Sequence, residues 1–205
     1  YISIIYLLSI YYLSIIYLLY IVGATQGVES NITEIACQSN EGGDITSGGG
    51  FSRLYTQPEY QVNATSAYWA ICNVSNSGCE PYVGPGSHQS PLYSGRAYPD
   101  IAFAGHNYEV VVGGVTQAVS GTYTCTPALA GVISLLNADR VANGLPTVGF
   151  MNQILYSTDI VYYNDVTKGK NNCMMVVTDG TDPTCCDQGY NATIGWDPVT
   201  GFGSI

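Results

Sequence analysis

The clearest periodic pattern of apolar residues lies in the second half of the chain. Apolar side chains recur at helical spacing between residues 127 and 143, at Leu129, Val132, Ile133, Leu136 and Val141. Gly144 follows directly, and glycine commonly ends a helix because it adopts the left-handed conformation without strain. The pattern therefore predicts a helix over residues 127–143.

Shorter apolar runs predict strands just before that helix. Residues 100–104 (DIAFA) and 108–112 (YEVVV) have strand composition, and the second run is bounded by a Gly-Gly pair. Residues 47–51 (SGGGF) predict a tight turn that needs unusual backbone angles, and residues 80–96 are rich in loop-forming Gly and Pro. Strands mixed with a long helix indicate an α/β sheet protein.

Residues 1–21 differ in amino-acid composition from residues 22–205, and we treat them as a separate segment. The segment is uncharged and consists of Tyr, Ile, Leu and Ser. Its length suits a membrane span or signal sequence, but no basic residue flanks it. The restricted alphabet is typical of a translated DNA repeat or a mis-joined exon, which we favour over a membrane anchor. Membrane contact is expected only if the segment is genuine.

Charge and cysteine content narrow the class of protein. The 205 residues carry a net charge of −10, with 15 acidic and five basic residues, so a nucleic-acid backbone would be repelled. The seven cysteines, of which Cys72 and Cys79 could bridge a short loop, are typical of an oxidising compartment. N-x-S/T glycosylation sequons point the same way and begin at Asn31, Asn63, Asn73 and Asn191. We therefore expect a lysosome-like or extracellular location reached through the secretory pathway, with membrane anchoring as the alternative.

Several motifs occur in a fixed order along residues 22–205. They are residues 22–25 (VGAT), 47–52 (SGGGFS), 95–100 (GRAYPD), 120–127 (SGTYTCTP), 149–152 (GFMN), 164–169 (NDVTKG) and 195–201 (GWDPVTG). Together they resemble the C-terminal half of the peptidase domain in the sedolisin family of acid serine peptidases, which includes tripeptidyl-peptidases. The resemblance implies a subtilisin-like fold, with a parallel sheet and helices on both faces, here truncated. It also implies peptides or proteins as the substrate class.

The resemblance places Tyr123 at the position of the family's nucleophilic serine. A serine at a turn before a helix gains from the helix dipole and from free N–H groups, which stabilise negative charge on the attacked carbonyl oxygen. A phenol is bulkier and carries its oxygen farther from the backbone, so we expect no acyl-enzyme here. A helix N-terminus would lower the pKa of Cys125, but we expect Thr122 and Cys125 to pack rather than react.

The family's other catalytic groups, a glutamate and two aspartates, precede the VGAT strand in its members. Only the low-complexity segment precedes that strand here. Glu41 and Asp44 are separated by two glycines and are interpreted as a solvated turn. His88 and His106 lie in polar loops, and the sequence suggests no Ser–His–Asp arrangement.

The resemblance also implies one calcium site. Its carboxylates would come from Asp165 and Asp197, and its carbonyl oxygens from Val166, Thr193 and Gly195. The family usually has glycine at the position of Thr193, and a glycan on Asn191 would crowd the same loop. The alternative is that both aspartates only cap loops.

Three functional hypotheses remain open. The chain is a peptidase-family protein that is itself catalytically incompetent, or a pseudopeptidase that binds peptides or a protein partner. The third is a fragment that does not fold alone, because half of a doubly wound domain exposes sheet edge and apolar surface.

Overall fold

The computed structural model describes residues 22–27, 33–75, 94–157, 162–174 and 183–205, with side chains described only up to residue 72 in the second range. The elements are, in chain order, β1 (Val22–Gln26), β2 (Ile35–Ala36), β3 (Gly50–Thr56), α1 (Val62–Ser75), β4 (Gly95–Tyr98), β5 (Ile101–Ala104), β6 (Tyr108–Val112), β7 (Val115–Val119), α2 (Thr122–Ala142), α3 (Asn152–Ser157), β8 (Cys173–Met174) and β9 (Thr184–Cys185). Short 3-10 turns cover Ser39–Glu41 and Glu59–Gln61.

The sheet at the centre of the fold has the order β2-β1-β5. β1 and β5 are parallel, with Val22 opposite Ile101 and Thr25 opposite Ala104, while the short β2 pairs antiparallel with the end of β1. Every residue of β1 is buried, as expected for a strand covered on both faces. The predicted α/β class is confirmed, and the strand predicted at residues 100–104 forms over Ile101–Ala104.

Helix α2 packs against β1 and β5 and is the longest element. Its end agrees with the prediction: Gly144 has φ +72°, and the Leu145 N–H bonds to the Arg140 carbonyl at 2.8 Å, which is a Schellman-type termination. Its start does not agree, because the helix begins at Thr122 rather than at residue 127. Pro127 lies inside the helix. Because proline has no N–H, the hydrogen bond that a helical residue would donate to the Tyr123 carbonyl is missing.

Two further antiparallel strand pairs, β6–β7 and β3–β4, form separate two-stranded sheets. β6 and β7 form a regular pair with Tyr108 opposite Val119, and β6 has the bounds predicted for it. β3 pairs with β4 across an irregular register. In the tight turn before β3, the backbone at Gly49 lies close to the backbone at Pro198. A methyl group on Gly49 would lie 1.8 Å from the Pro198 carbonyl oxygen, so this position requires glycine.

The hydrophobic core joins the sheet, α1, α2 and the C-terminal loops. Its buried members include Val22, Ala24, Tyr68, Ile101, Leu129, Ile133, Trp196 and Phe202. Trp196 donates a hydrogen bond from its indole N–H to the Pro99 carbonyl at 3.0 Å, which fixes the 195–201 loop against the turn before β5.

The GRAYPD segment provides a buried ion pair beside this core. Arg96 Nη2 lies 2.7 Å from Asp100 Oδ2, and the Asp100 side chain is 1% exposed. Asp100 Oδ1 also accepts a hydrogen bond from the Tyr156 hydroxyl at 3.0 Å, and Gln61 donates to that hydroxyl at 2.7 Å. These contacts tie α3 and the start of α1 to the β4–β5 turn.

Disulfides appear in two places. Cys173 and Cys185 are bonded across the β8–β9 pair, a pairing that the sequence left unassigned. Cys72 is disulfide-bonded, and Cys79, its predicted partner, lies outside the described residues. The predictions for residues 1–21, Asn31 and His88 also fall outside, as does the Asn73 side chain.

Candidate functional site

The first turn of α2 lies at the carboxyl edge of the parallel strands. Gly105 follows β5 directly, and its N–H donates to the Thr25 carbonyl at 3.0 Å. The Gly121 N–H in turn donates to the Gly105 carbonyl at 2.7 Å. Backbone hydrogen bonds thus link the end of β1 to the residue after β5, and that residue to the start of α2.

Tyr123 is the second residue of α2 and is 66% exposed. Its ring lies over Gly121, because a methyl group on that glycine would approach Tyr123 Cε1 to 2.3 Å. The phenol ring therefore occupies space that a side chain at position 121 would fill, and it fits there because that residue is glycine. The ring covers the turn from which a serine at this position would act.

The other hydroxyl groups of this turn bond to its own backbone. Thr124 donates to the Gly121 carbonyl at 2.6 Å, and Thr126 donates to the Thr122 carbonyl at 2.8 Å. Such local bonds stabilise the first turn of the helix. Both hydroxyl protons are therefore directed at the helix backbone rather than at the sheet edge.

Cys125 is completely buried, and its thiol faces the Gly23 carbonyl at 3.5 Å and the Thr122 carbonyl at 3.2 Å. Burial raises the pKa of Cys125 to about 11, and hydrogen bonds at the helix start only partly offset this effect. The predicted lowering of its pKa is wrong. Loss of solvent outweighs the favourable field of the helix terminus, so Cys125 is a packing residue.

A polar cluster of Ser120, Asp44, His106 and Asn107 adjoins the helix start, and no local sequence pattern predicts it. Ser120 donates to Asp44 Oδ2 at 2.6 Å, and its oxygen accepts the Asn107 N–H at 3.1 Å. His106 Nδ1 lies 3.1 Å from the same oxygen, and the His106 Nε2–Asn107 Nδ2 distance is 3.0 Å. Asp44 is thus not the simple solvated turn residue that we expected.

This cluster contains Ser, His and Asp but does not have the geometry of a catalytic triad. In a triad the histidine lies between serine and aspartate, whereas here Ser120 lies between Asp44 and His106. The His106 Nδ1–Asp44 Oδ2 distance is 3.8 Å. Ser120 donates its one hydroxyl proton to Asp44, so His106 must donate to Ser120. The Ser120 oxygen therefore accepts hydrogen bonds from both Asn107 and His106, and both of its acceptor positions are occupied. Ser120 is therefore a structural link between two loops.

A cavity of about 290 Å³ opens beside the cluster, lined by residues 44–48 and by Asn171, Cys173 and Met174. Its buried polar side chains already have partners: Ser47 accepts the Ala24 N–H at 2.9 Å, and Asn171 accepts the Tyr190 N–H at 2.8 Å. The Asp44 side chain, by contrast, is 62% exposed. The carboxylate is consequently the polar group most available to a ligand in this cavity.

The five residues predicted to bind calcium surround one turn near the C-terminus. The Gly195 N–H donates to Asp165 Oδ2 at 2.9 Å, and the Thr193 N–H donates to Asp197 Oδ2 at 3.0 Å. The turn from residue 193 to 197 therefore contacts both carboxylates. The Val166 carbonyl is close to the same loop, 3.3 Å from the Thr200 hydroxyl.

The two carboxyl groups are unusually desolvated. Asp197 is completely buried, and burial raises its pKa to about 7 although N–H groups of its own loop donate to it. Burial also raises the pKa of Asp165, against the hydrogen bond from Gly195. No Lys or Arg of the described ranges forms an ion pair with either group.

Two polar atoms of this loop are buried without any hydrogen-bond partner among the described residues: Asp165 Oδ1 and Thr193 Oγ1. Within that same part of the chain, no three side chains of His, Cys, Asp or Glu gather at one point. A cation here would therefore depend on two carboxylates together with neutral oxygens, which is a donor set that suits calcium.

Two predicted glycosylation sites can be located. Asn63 lies on the exposed surface of α1, whereas Asn191 is half-buried and forms a β-bridge with Lys170. None of the helices in the described ranges is long and apolar enough to span a bilayer.

Comparison with solved structures identifies the class of fold. The chain is similar to Pseudomonas sedolisin, a serine-carboxyl proteinase, with a TM-score of 0.56 over 90% of this chain and 42% of that chain, at 24% identity. The chain therefore shares the fold of this sedolisin.

Sequence relatives identify the family. The chain is 36% identical to physarolisin from Physarum polycephalum over 178 residues, 85% of this chain and 28% of physarolisin. It is 38% identical to tripeptidyl-peptidase 1 from Homo sapiens, over 81% of this chain and 27% of that protein. It is 35% identical to tripeptidyl-peptidase sed1 from Aspergillus fumigatus, over 77% of this chain and 23% of that protein. No protein-family model matches the sequence.

The chain belongs to the sedolisin family and corresponds to the C-terminal region of its peptidase domain, as the sequence motifs predicted. It spans about a quarter of the length of the curated relatives that it matches.

Proposed function

We propose that this chain is a catalytically silent, peptide-binding member of the sedolisin family. The observation that carries the proposal is the place of Tyr123 in the first turn of α2, with its ring over Gly121, since the motif resemblance assigns the family's serine to this position. A nucleophile there must place its oxygen close to the helix N–H groups that stabilise the tetrahedral intermediate. The phenol oxygen lies at the far end of a rigid ring, beyond that point.

Three neighbouring side chains with a hydroxyl or thiol do not offer a replacement. Thr124 bonds to its own turn, Cys125 is buried with a raised pKa, and both acceptor positions of the Ser120 oxygen are occupied. A nucleophile needs a free lone pair directed at the substrate and a base that can remove its proton. None of these three groups has both.

Peptide binding is favoured by the cavity beside the Ser120–Asp44 link. Its walls include Ile45 and Met174, and Asp44 supplies an accessible carboxylate. Apolar walls with one available charge are typical of a pocket that takes a basic side chain or an amino terminus. The relatives named as peptidases support peptides as the ligand class.

Fluorescence anisotropy with labelled peptides tests the proposal. A lysine-containing peptide is expected to bind more tightly than its norleucine counterpart, and Asp44→Asn is expected to remove the preference. Tyr123→Phe is the matched control, because it deletes only the phenol oxygen and should leave binding unchanged. Failure of the chain to bind any peptide, or release of the peptide as cleaved products, would contradict the proposal.

Calcium is the second part of the proposed function. Asp165 and Asp197 would bind the ion through carboxylate oxygens, and Val166, Thr193 and Gly195 through carbonyl oxygens. The loop fits a cation because two desolvated carboxyl groups lie against one turn with no basic partner among the described residues. Calcium would supply structural stability rather than chemistry, since it would join residues 165–166 to the 193–197 turn.

Calorimetric titration of the metal-stripped chain with calcium, and separately with magnesium, tests this part. We expect calcium-selective binding that Asp165→Asn weakens and Asp197→Asn abolishes. Asp187→Asn is the control, because Asp187 is an exposed acidic residue of the preceding loop. Absence of calcium binding in the unaltered chain would remove calcium from the proposal and leave peptide binding untouched.

We also infer passage through the secretory pathway. The Cys173–Cys185 disulfide and the exposed sequon at Asn63 support an oxidising, glycosylating compartment. Enzymatic removal of N-glycans from the chain expressed in a eukaryotic host should lower its apparent mass, and an unchanged mass for Asn63→Gln would argue against glycosylation there.

A further inference from the structure

The Thr193 hydroxyl is the feature of the C-terminal loop that the calcium proposal does not use. Thr193 Oγ1 is buried and has no hydrogen-bond partner among the described residues. Buried hydroxyl groups are nearly always partnered, because an unpartnered one forfeits its bonds to water. The partner of an isolated buried hydroxyl therefore lies outside the protein atoms, as a water molecule or a bound ion.

The position of this hydroxyl points to the same ligand as the carboxylates. The Thr193 N–H bonds to Asp197 Oδ2, and two residues later the Gly195 N–H bonds to Asp165 Oδ2. Asp165 is left with Oδ1, which is also buried and unpartnered. One oxygen-seeking cation beside this turn would satisfy both atoms.

We propose that Thr193 Oγ1 is a direct ligand of the bound cation, in addition to the oxygens named above. The inference rests on the proposed calcium site. The calcium proposal uses only the carbonyl oxygen of Thr193, so the hydroxyl is an additional oxygen. Calcium accepts six to eight oxygen ligands, whereas magnesium requires a strict octahedron. An added neutral oxygen therefore favours calcium over magnesium.

Terbium luminescence provides the test, because terbium replaces calcium in oxygen sites and its decay rates in H2O and D2O count the bound water molecules. Thr193→Val keeps the size of the side chain and removes the hydroxyl, so water is expected to take the vacated position. We expect about one more bound water than in the unaltered chain, and a calcium affinity lower by roughly tenfold. Thr193→Ser keeps a hydroxyl and should match the unaltered chain.

Two further variants separate loss of the hydroxyl from loss of a glycan and from misfolding. Thr193→Val also destroys the Asn191 sequon, so Asn191→Gln, which destroys the sequon but keeps the hydroxyl, separates loss of a glycan from loss of a ligand. Thr193→Ala is a second hydroxyl-free variant if the valine form does not fold. An unchanged water count and calcium affinity in a folded hydroxyl-free variant would overturn the inference while leaving the calcium site in place. Absence of terbium and calcium binding in the unaltered chain would overturn both.

Discussion

The buried Asp197 carboxyl makes the stability of the metal-free chain depend on pH. Its pKa is about 7 in the folded protein, against an ordinary value of 3.8. Between these values the unfolded chain has lost the proton that the folded chain retains, so raising the pH favours unfolding. The contribution is fully present below about pH 4, falls as pH rises, and levels off above about pH 7.

The size of the effect follows from the same two values. The folded-state pKa of about 7 exceeds the ordinary value of 3.8 by about 3. At about 1.36 kcal/mol per pKa unit, this corresponds to a loss of about 4 kcal/mol of unfolding free energy between pH 4 and pH 7. Urea denaturation in the presence of a calcium chelator should show this loss across the series of pH values. Asp197→Asn should largely remove the slope, because the amide does not titrate.

Calcium should reverse the trend, since a bound cation stabilises the ionised carboxylates. Near pH 7, saturating calcium is expected to restore most of the stability that the metal-free chain has lost. A metal-free chain with the same stability at pH 4.5 and pH 7, or a slope that survives in Asp197→Asn, would show that this carboxyl is not the desolvated group described above.

Three further predictions concern the fold and can be checked by urea denaturation. Gly49→Ala should cost about 3 kcal/mol, because the methyl group would overlap the Pro198 carbonyl; a cost below 1 kcal/mol would contradict the close approach. Arg96→Ala should cost about 3 kcal/mol, because it leaves Asp100 buried without its partner, and Arg96→Lys should cost less; equal losses would contradict the importance of the charge. Cys173→Ser should cost about 3 kcal/mol by opening a 12-residue loop, and Cys185→Ser should cost about the same because it removes the same bond; a difference between them would indicate another cause.

The parts of the fold that the sequence predicted are those with local patterns. The spacing of apolar residues before Gly144 located most of α2 and its end, and the Val-rich run at residues 108–112, bounded by two glycines, located β6. The start of α2 was missed because residues 122–126 are mostly β-branched or polar, and Pro127 is a common first helical residue. Packing of this turn against the sheet edge overrides those local preferences.

The site was predictable only in part, for a related reason. Tyr123, Asp165 and Asp197 could be singled out from the sequence because each lies within a contiguous motif. The hydrogen bond between Ser120 and Asp44 joins residues 76 positions apart, and no local sequence pattern predicts it. The raised pKa of Cys125 likewise depends on the burial of this side chain, which is a property of the folded chain and not of the neighbouring sequence.

The central claim is that Tyr123 cannot act in place of the family's serine. The most direct measurement is mass-spectrometric analysis of a peptide mixture incubated with the purified chain at pH 3 to 7 in the presence of calcium, beside the Tyr123→Phe variant. We predict that both proteins leave the peptides intact. Cleavage by the unaltered chain that disappears in Tyr123→Phe would contradict the account, because that substitution removes only the phenol oxygen.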